Sequence, residues 1–124
     1  MREVVNLEEA FDSFDEQWSP RIVAQINDYD VKIAHVAGEF VWHQHADTDE
    51  FFLVTAGRLV IDLDGPDQPP NVELRPGDVY IVPRGVRHRP VADDGTRLLL
   101  LEPRGTVNTG GGSAEGTAGR ALDA

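Results

Sequence analysis

GEFVWHQHADTDEFFLVTAG, the stretch from Gly38 to Gly57, decides how the chain is read. Phe40–His45 and Phe51–Thr55 are short runs rich in valine, phenylalanine and leucine, which favour a pleated backbone. The acidic loop Ala46–Asp49 lies between them. His43, His45 and Glu50, three side chains able to ligate a metal, fall within eight residues.

Outward from this stretch the same pattern repeats. Ile22–Ile26, Val31–Val36, Arg58–Leu63, Asn71–Leu74, Val79–Val82, Val86–Val91 and Thr96–Leu101 read as further strands. Turn residues separate them at Asn27-Asp28, Ala56-Gly57, Asp64-Gly65-Pro66, Pro76-Gly77-Asp78, Pro83-Arg84-Gly85 and Asp93-Asp94-Gly95. Many short strands with little helix predict an all-β sandwich or barrel. Residues 20–104 form that unit. Residues 1–19 read as an arm and one short helix, N-capped by Asn6 with Glu9 three positions on. Leu7, Ala10, Phe11, Phe14 and Trp18 form its apolar stripe, and Pro20 stops it. Residues 105–124 hold six of the twelve glycines and few bulky apolar groups, so a flexible tail is expected.

The chain has 124 residues, enough for one domain with a core of its own. It lacks cysteine, which removes disulfides, thiolate metal sites and a cysteine nucleophile, and suits a reducing compartment. With 11 basic and 22 acidic residues the formal charge is −11. That balance repels nucleic acid and anionic membranes. No apolar run approaches the ~20 residues of a membrane span, and the acidic start has no signal core, so the cytoplasm is the expected location.

In a strand, alternate residues share a face. His43 and His45 would then lie about 6.8 Å apart, twice the rise per residue, able to converge on one ion. Alone, such a pair is equally two exposed strand histidines. Glu50 begins the next strand and shares a face with Phe52 and Val54, so it can point inward. Asp47 and Asp49 compete with it, but read as a solvated loop. His88 lies in a distant strand, after the turn Pro83-Arg84-Gly85, among Arg84, Arg87 and Arg89. By parity Val41, Phe52, Val54, Val86 and Pro90 join the histidines' side, with Tyr80 and Val82 also inward. Phe40, Trp42 and Gln44 are expected on the opposite face, Arg87 and Arg89 outside, and Arg84 in an exposed turn. His35 fits no part of the set.

These positions resemble the two motifs of the cupins. Gly38, His43, His45, Glu50 and Gly57 resemble the first; Gly77, Pro83, Gly85 and His88 resemble the second. Two departures are visible: four residues rather than five separate Gly38 from His43, and Ala92 stands where asparagine is frequent. The ending LEPRGTVNTG is similar to that of small single-domain cupins related to mannose-6-phosphate isomerases. The resemblance implies a double-stranded β-helix, the jelly-roll cupin barrel, with a short N-terminal helix. It implies that His43, His45, Glu50 and His88 bind one divalent metal: Fe, Mn, Ni, Co or Zn. It further implies a homodimer, and a small-molecule ligand handled by a metal-dependent enzyme of isomerase or oxygenase type. A non-catalytic sugar-binding or sensing module is the other reading. No residue beyond the metal set is singled out as catalytic.

Overall fold

The computed structural model describes residues 3–106 together with 120–121. Most of the expected glycine-rich tail therefore lies outside the described residues. A short helix, α1 (Leu7–Asp12), precedes eight strands: β1 (Arg21–Ile26), β2 (Tyr29–Glu39), β3 (Glu50–Ala56), β4 (Leu59–Asp64), β5 (Asn71–Leu74), β6 (Val79–Val82), β7 (Arg87–Pro103) and β8 (Arg120–Ala121). Apart from β8, which runs parallel to β1, every pairing between these strands is antiparallel among the described residues. The result is the expected jelly-roll barrel.

β7 organises the barrel. The sequence suggested two strands with a turn at Asp93-Asp94-Gly95, but the chain runs through as one strand of 17 residues. Asp93, Asp94 and Gly95 instead form a bulge where the β2 register jumps from Val36↔Thr96 to Gly38↔Ala92. Gly95 takes φ 80° there, a conformation that costs little without a Cβ. The bulge bends β7 so that its two halves enter different layers. Arg87–Ala92 pairs with β4, and Arg97–Leu101 pairs with β3. β2 follows β7 along both halves.

Corners between layers need glycine. Gly57, at φ 82°, carries the chain from β3 to β4. A Cβ on it would lie only 2.6 Å from Thr96 Cα. Thr96 is itself buried, and its Oγ1 accepts the Arg58 N–H at 3.0 Å.

Inward side chains of the two layers make the main core. Ala34, Val36, Phe52, Val54, Leu59, Ile61, Leu98 and Leu100 are all buried in it. A smaller cluster lies outside β2, where Ala10 and Phe11 of α1 pack on Ile33, flanked by Leu7, Phe14 and Leu99.

α1 begins as expected, with Asn6 Oδ1 accepting the Glu9 N–H at 3.0 Å. It ends earlier than the stripe through Trp18 suggested. Ser13 closes it, its Oγ donating to the Ala10 carbonyl at 2.6 Å. Tertiary bonds then determine the path: the Trp18 N–H donates to His35 O (2.8 Å), and its Nε1–H to Ala37 O (3.0 Å). These hold Trp18 against the main core at φ 57°, outside any helix.

Candidate metal centre

Phe40–His45 is not a strand. Its backbone is irregular, with one isolated bridge, His43↔His88. Alternation along a strand is therefore not what brings the histidines together. The bridge itself faces His43 toward His88: each N–H donates to the other's carbonyl, at 3.0 and 2.8 Å. The His45 carbonyl accepts the Gly85 N–H at 2.7 Å, which ties the next turn of chain to the Pro83–Gly85 turn. Asp49 also anchors the loop, accepting the Arg84 N–H at 2.9 Å. Asp47 and Asp49 are exposed, whereas Glu50, at the head of β3, is 4% exposed.

His43, His45, Glu50 and His88 are all buried, and one potential ligand atom from each lies within 4.8 Å of all the others. Glu50 Oε1 is the hub, 2.9 Å from His88 Nε2, 3.2 Å from His45 Nε2 and 4.0 Å from His43 Nε2. Nδ1 of His43 lies 2.9 Å from the Val41 carbonyl, and Nδ1 of His88 lies 2.9 Å from Val86 O. A carbonyl only accepts, so both Nδ1 atoms carry a proton, and both Nε2 atoms face the hub.

The donor set fits a cation. His88 has an oxygen opposite each ring nitrogen, a placement that suits an ion shared between Nε2 and the carboxylate. His45 Nε2 is buried without a directed hydrogen bond, although it lies 3.2 Å from Glu50. Three imidazoles and one carboxylate could hold a divalent metal.

Electrostatics support the same reading. Burial, then the neighbouring His88, lowers His43 to about 4. Burial also pulls His45 down, but the Glu50 carboxylate 3.2 Å away and the charge of Glu102 outweigh it, and the group is raised. For Glu50, burial pushes up; the adjacent His45 and His88 rings win and hold the carboxyl well below the usual range. At neutral pH His43 and Glu50 are thus already in the forms that bind metal.

A small cleft open to solvent reaches His43 and Glu50. Trp18, Pro20, Phe40, Phe52, Leu98 and Leu100 are among its walls. Phe40 therefore lies on the same side as His43, meeting its ring edge-on at 5.4 Å and stacking on Trp18 at 4.7 Å. The expectation of the opposite face assumed strand alternation, which the irregular backbone breaks. Trp42 does lie apart, beneath the guanidinium groups of Arg87 and Arg89 at 4.9 and 5.2 Å. His35 stands away from the cluster, its Nε2 2.8 Å from the Phe11 carbonyl.

One pair beside the cluster was not anticipated. Lys32 and Glu102 are 0% and 1% exposed, with Nζ 3.0 Å from Oε1. Glu102 stands one step beyond the Phe51↔Leu101 pair, opposite Glu50. Burial, then the Glu50 charge, raises Glu102 to about 7 against the downward pull of Lys32. Parity carried the signal: Lys32 alternates with buried Ala34 and Val36, and Glu102 with Leu98 and Leu100.

The family model described as Cupin domain matches residues 30–103. A cupin-2 domain containing protein from Shewanella frigidimarina is 46% identical in sequence. Its structure superposes with a TM-score of 0.76, covering 82% of this chain and 95% of that one. Protein NMB1881 from Neisseria meningitidis is 26% identical, with a TM-score of 0.71 over 82% of this chain and 99% of that one. The uncharacterized protein YdbB of Bacillus subtilis is 36% identical over 67 residues. That match spans 54% of this chain and 57% of YdbB's length.

Proposed function

Because the chain belongs to the cupin domain family, we propose that it is a metal-dependent enzyme of oxygenase type acting on a small apolar molecule. His43, His45, Glu50 and His88 would hold one divalent metal. When bound, such an ion supplies Lewis acidity and, if it is iron, a route for electrons to dioxygen. The chain's own residues do the rest. Val41 and Val86 fix the tautomers of two histidines through their carbonyls. Trp18, Phe40 and Phe52 exclude water and orient a flat ligand in the cleft.

The observation that carries this reading is the cleft's lining. Its only ionisable groups are His43 and Glu50, both assigned to the metal. Isomerising a sugar needs a base free to move protons and partners for several hydroxyls. The walls offer neither. An apolar ligand needs only shape and one oxygen donor toward the metal. The same want of a free base favours the second reading, a binding or sensing module.

Elemental analysis of protein purified without a metal-affinity tag comes first. Oxygen uptake by Fe(II)-loaded protein, screened against phenols, short-chain enols and sugar phosphates, then decides. Uptake with an apolar oxygen donor is expected. Conversion of a sugar phosphate without oxygen would return the isomerase; stoichiometric metal and ligand binding with no turnover would leave the sensor.

We also propose a homodimer. On the outer face of the β6–β3–β7 layer, Val79 and Ile81 are 51% and 43% exposed beside half-buried Phe51, Leu53 and Leu101. The arm adds Val4, fully exposed. A second copy would cover this surface, joining the two faces about a two-fold axis. Among the described residues no helix is long and apolar enough to cross a membrane.

A further inference from the structure

We propose that Trp18 determines the size of molecule that reaches the metal centre: its indole, stacked on Phe40, closes one side of the cleft and restricts the ligand to a single ring. The inference rests on the reading of that cleft as the site of an apolar ligand.

Trp18 comes from outside the barrel strands. It precedes β1, and the residues that match the cupin model begin at 30. Its backbone takes φ 57°, a left-handed conformation that is unfavourable beside a bulky side chain and that glycine would adopt more readily. Two bonds to β2 hold it there. The backbone N–H donates to His35 O at 2.8 Å, and the indole Nε1–H donates to Ala37 O at 3.0 Å. The second bond needs the indole itself, so the ring is anchored as well as the chain. A bulky residue fixed in such a conformation at the wall of a cleft points to a use for its side chain.

The ring reaches the cleft alongside Phe40. The two rings stack with centroids 4.7 Å apart and planes at 19°. A third ring between them would need about 7 Å, two van der Waals layers. Phe40 in turn meets His43 edge-on at 5.4 Å, and Phe52 meets His88 edge-on at 6.2 Å. A ligand must therefore lie beside the stack, in the space that Phe52, Leu98 and Leu100 complete. Phe40 is tied by its ring to a metal ligand, whereas the polar bonds of Trp18 run to two carbonyls of β2. The indole can thus be cut back without altering the four ligands, and doing so removes two fused rings from the wall.

The test is the binding of phenol and of 2-naphthol to the Co(II)-loaded full chain, followed by calorimetry and by the visible absorption of the ion. In an open apolar cleft the second ring tightens binding, since more apolar surface leaves water. Behind Trp18 it should not, and the parent should bind 2-naphthol no more tightly than phenol. In Trp18→Ala the ratio of the phenol Kd to the 2-naphthol Kd should rise at least about tenfold, the lower end of what pocket shape discriminates. Binding of 2-naphthol by the variant alone is the same result at its extreme. A parent that already prefers 2-naphthol, or a rise of less than tenfold, overturns the role of Trp18. Trp42→Leu is the contrast, since Trp42 lies apart beneath Arg87 and Arg89. A ratio that rises as far there also overturns the proposal, because it reports a general loosening. Should circular dichroism show that Trp18→Ala does not fold, Trp18→Leu is judged by the same ratio and threshold. A parent and a variant that bind Co(II) but neither ring overturn the apolar-ligand reading and this inference with it, whereas both rings bound at an unchanged ratio overturn Trp18 alone.

Discussion

His43 and His88 hold each other by their backbones, with His43 N–H donating to His88 O at 3.0 Å and His88 N–H to His43 O at 2.8 Å. Both peptide groups survive any change of side chain, so ligand and scaffold can be tested apart. His88→Ala should lower bound metal at least about tenfold while the chain stays folded. His35→Ala is the contrast. It removes the 2.8 Å contact with Phe11 O and the ring contacts with Phe11 and Phe14. It should cost roughly 1–3 kcal/mol in urea unfolding and leave metal content unchanged. Elemental analysis of both variants checks the pair of outcomes.

Metal binding should be proton-linked through His45. That group is raised above 6.5, whereas His43 is lowered to about 4 and Glu50 lies well below its usual range. Of the three, His45 is the one that gives up its proton less readily than a free imidazole. Apparent affinity should climb as pH rises through its folded value, and calorimetry in buffers of different ionisation heat should record the release. Metal-free stability has a separate signature from His43. The unfolded imidazole takes up a proton at 6.5 and the folded one only at about 4. His43's contribution is thus present above 6.5 and is lost as pH falls between those values. A metal affinity that is flat across this range would contradict the assignment.

Gly57 and Gly85 share a left-handed backbone, φ 82° and 78°, but differ in space. A Cβ at Gly85 meets nothing within 4 Å, while one at Gly57 would press on Thr96. Gly85→Ala should cost about 1–2 kcal/mol, the conformational penalty alone. Gly57→Ala should cost more, by a further ~1–3 kcal/mol of overpacking. Urea midpoints of the two variants test the order.

Ile81→Glu should yield a monomer in sedimentation. It places a charge on the exposed face of β6 without touching the interior, where Val82 is 1% exposed. A wild-type chain that sediments as a monomer would remove the dimer.

Turn chemistry and strand composition were enough to read the barrel, because Asn27-Asp28 and Gly57 sit at real corners. Asp93-Asp94-Gly95 has the same composition and makes a bulge instead. Local sequence cannot distinguish the two, since the difference lies in β2, β3 and β4, which pair with β7 on both sides of it. His43, His45 and Glu50 were legible as a cluster and His88 through the resemblance to the cupin motifs, though by a wrong intermediate: a pleated Phe40–His45 was assumed, and a single bridge to His88 does the work. The same assumption turned Phe40 away from the cleft it lines. Lys32 was passed over because a lysine among apolar residues reads as a solvated edge, and its neutralising partner is 70 positions away.

The bend in β7 has a mechanical consequence. Glu50 belongs to the layer that pairs with the second half of β7, and His43 and His88 to the layer along the first half. An ion seated among them would rivet one layer to the other, a second tie besides the chain that runs through Asp93–Gly95. Loading and unfolding then become one cooperative event. A chelator should loosen amide protons in both layers at once, rather than freeing only the loop that carries His45.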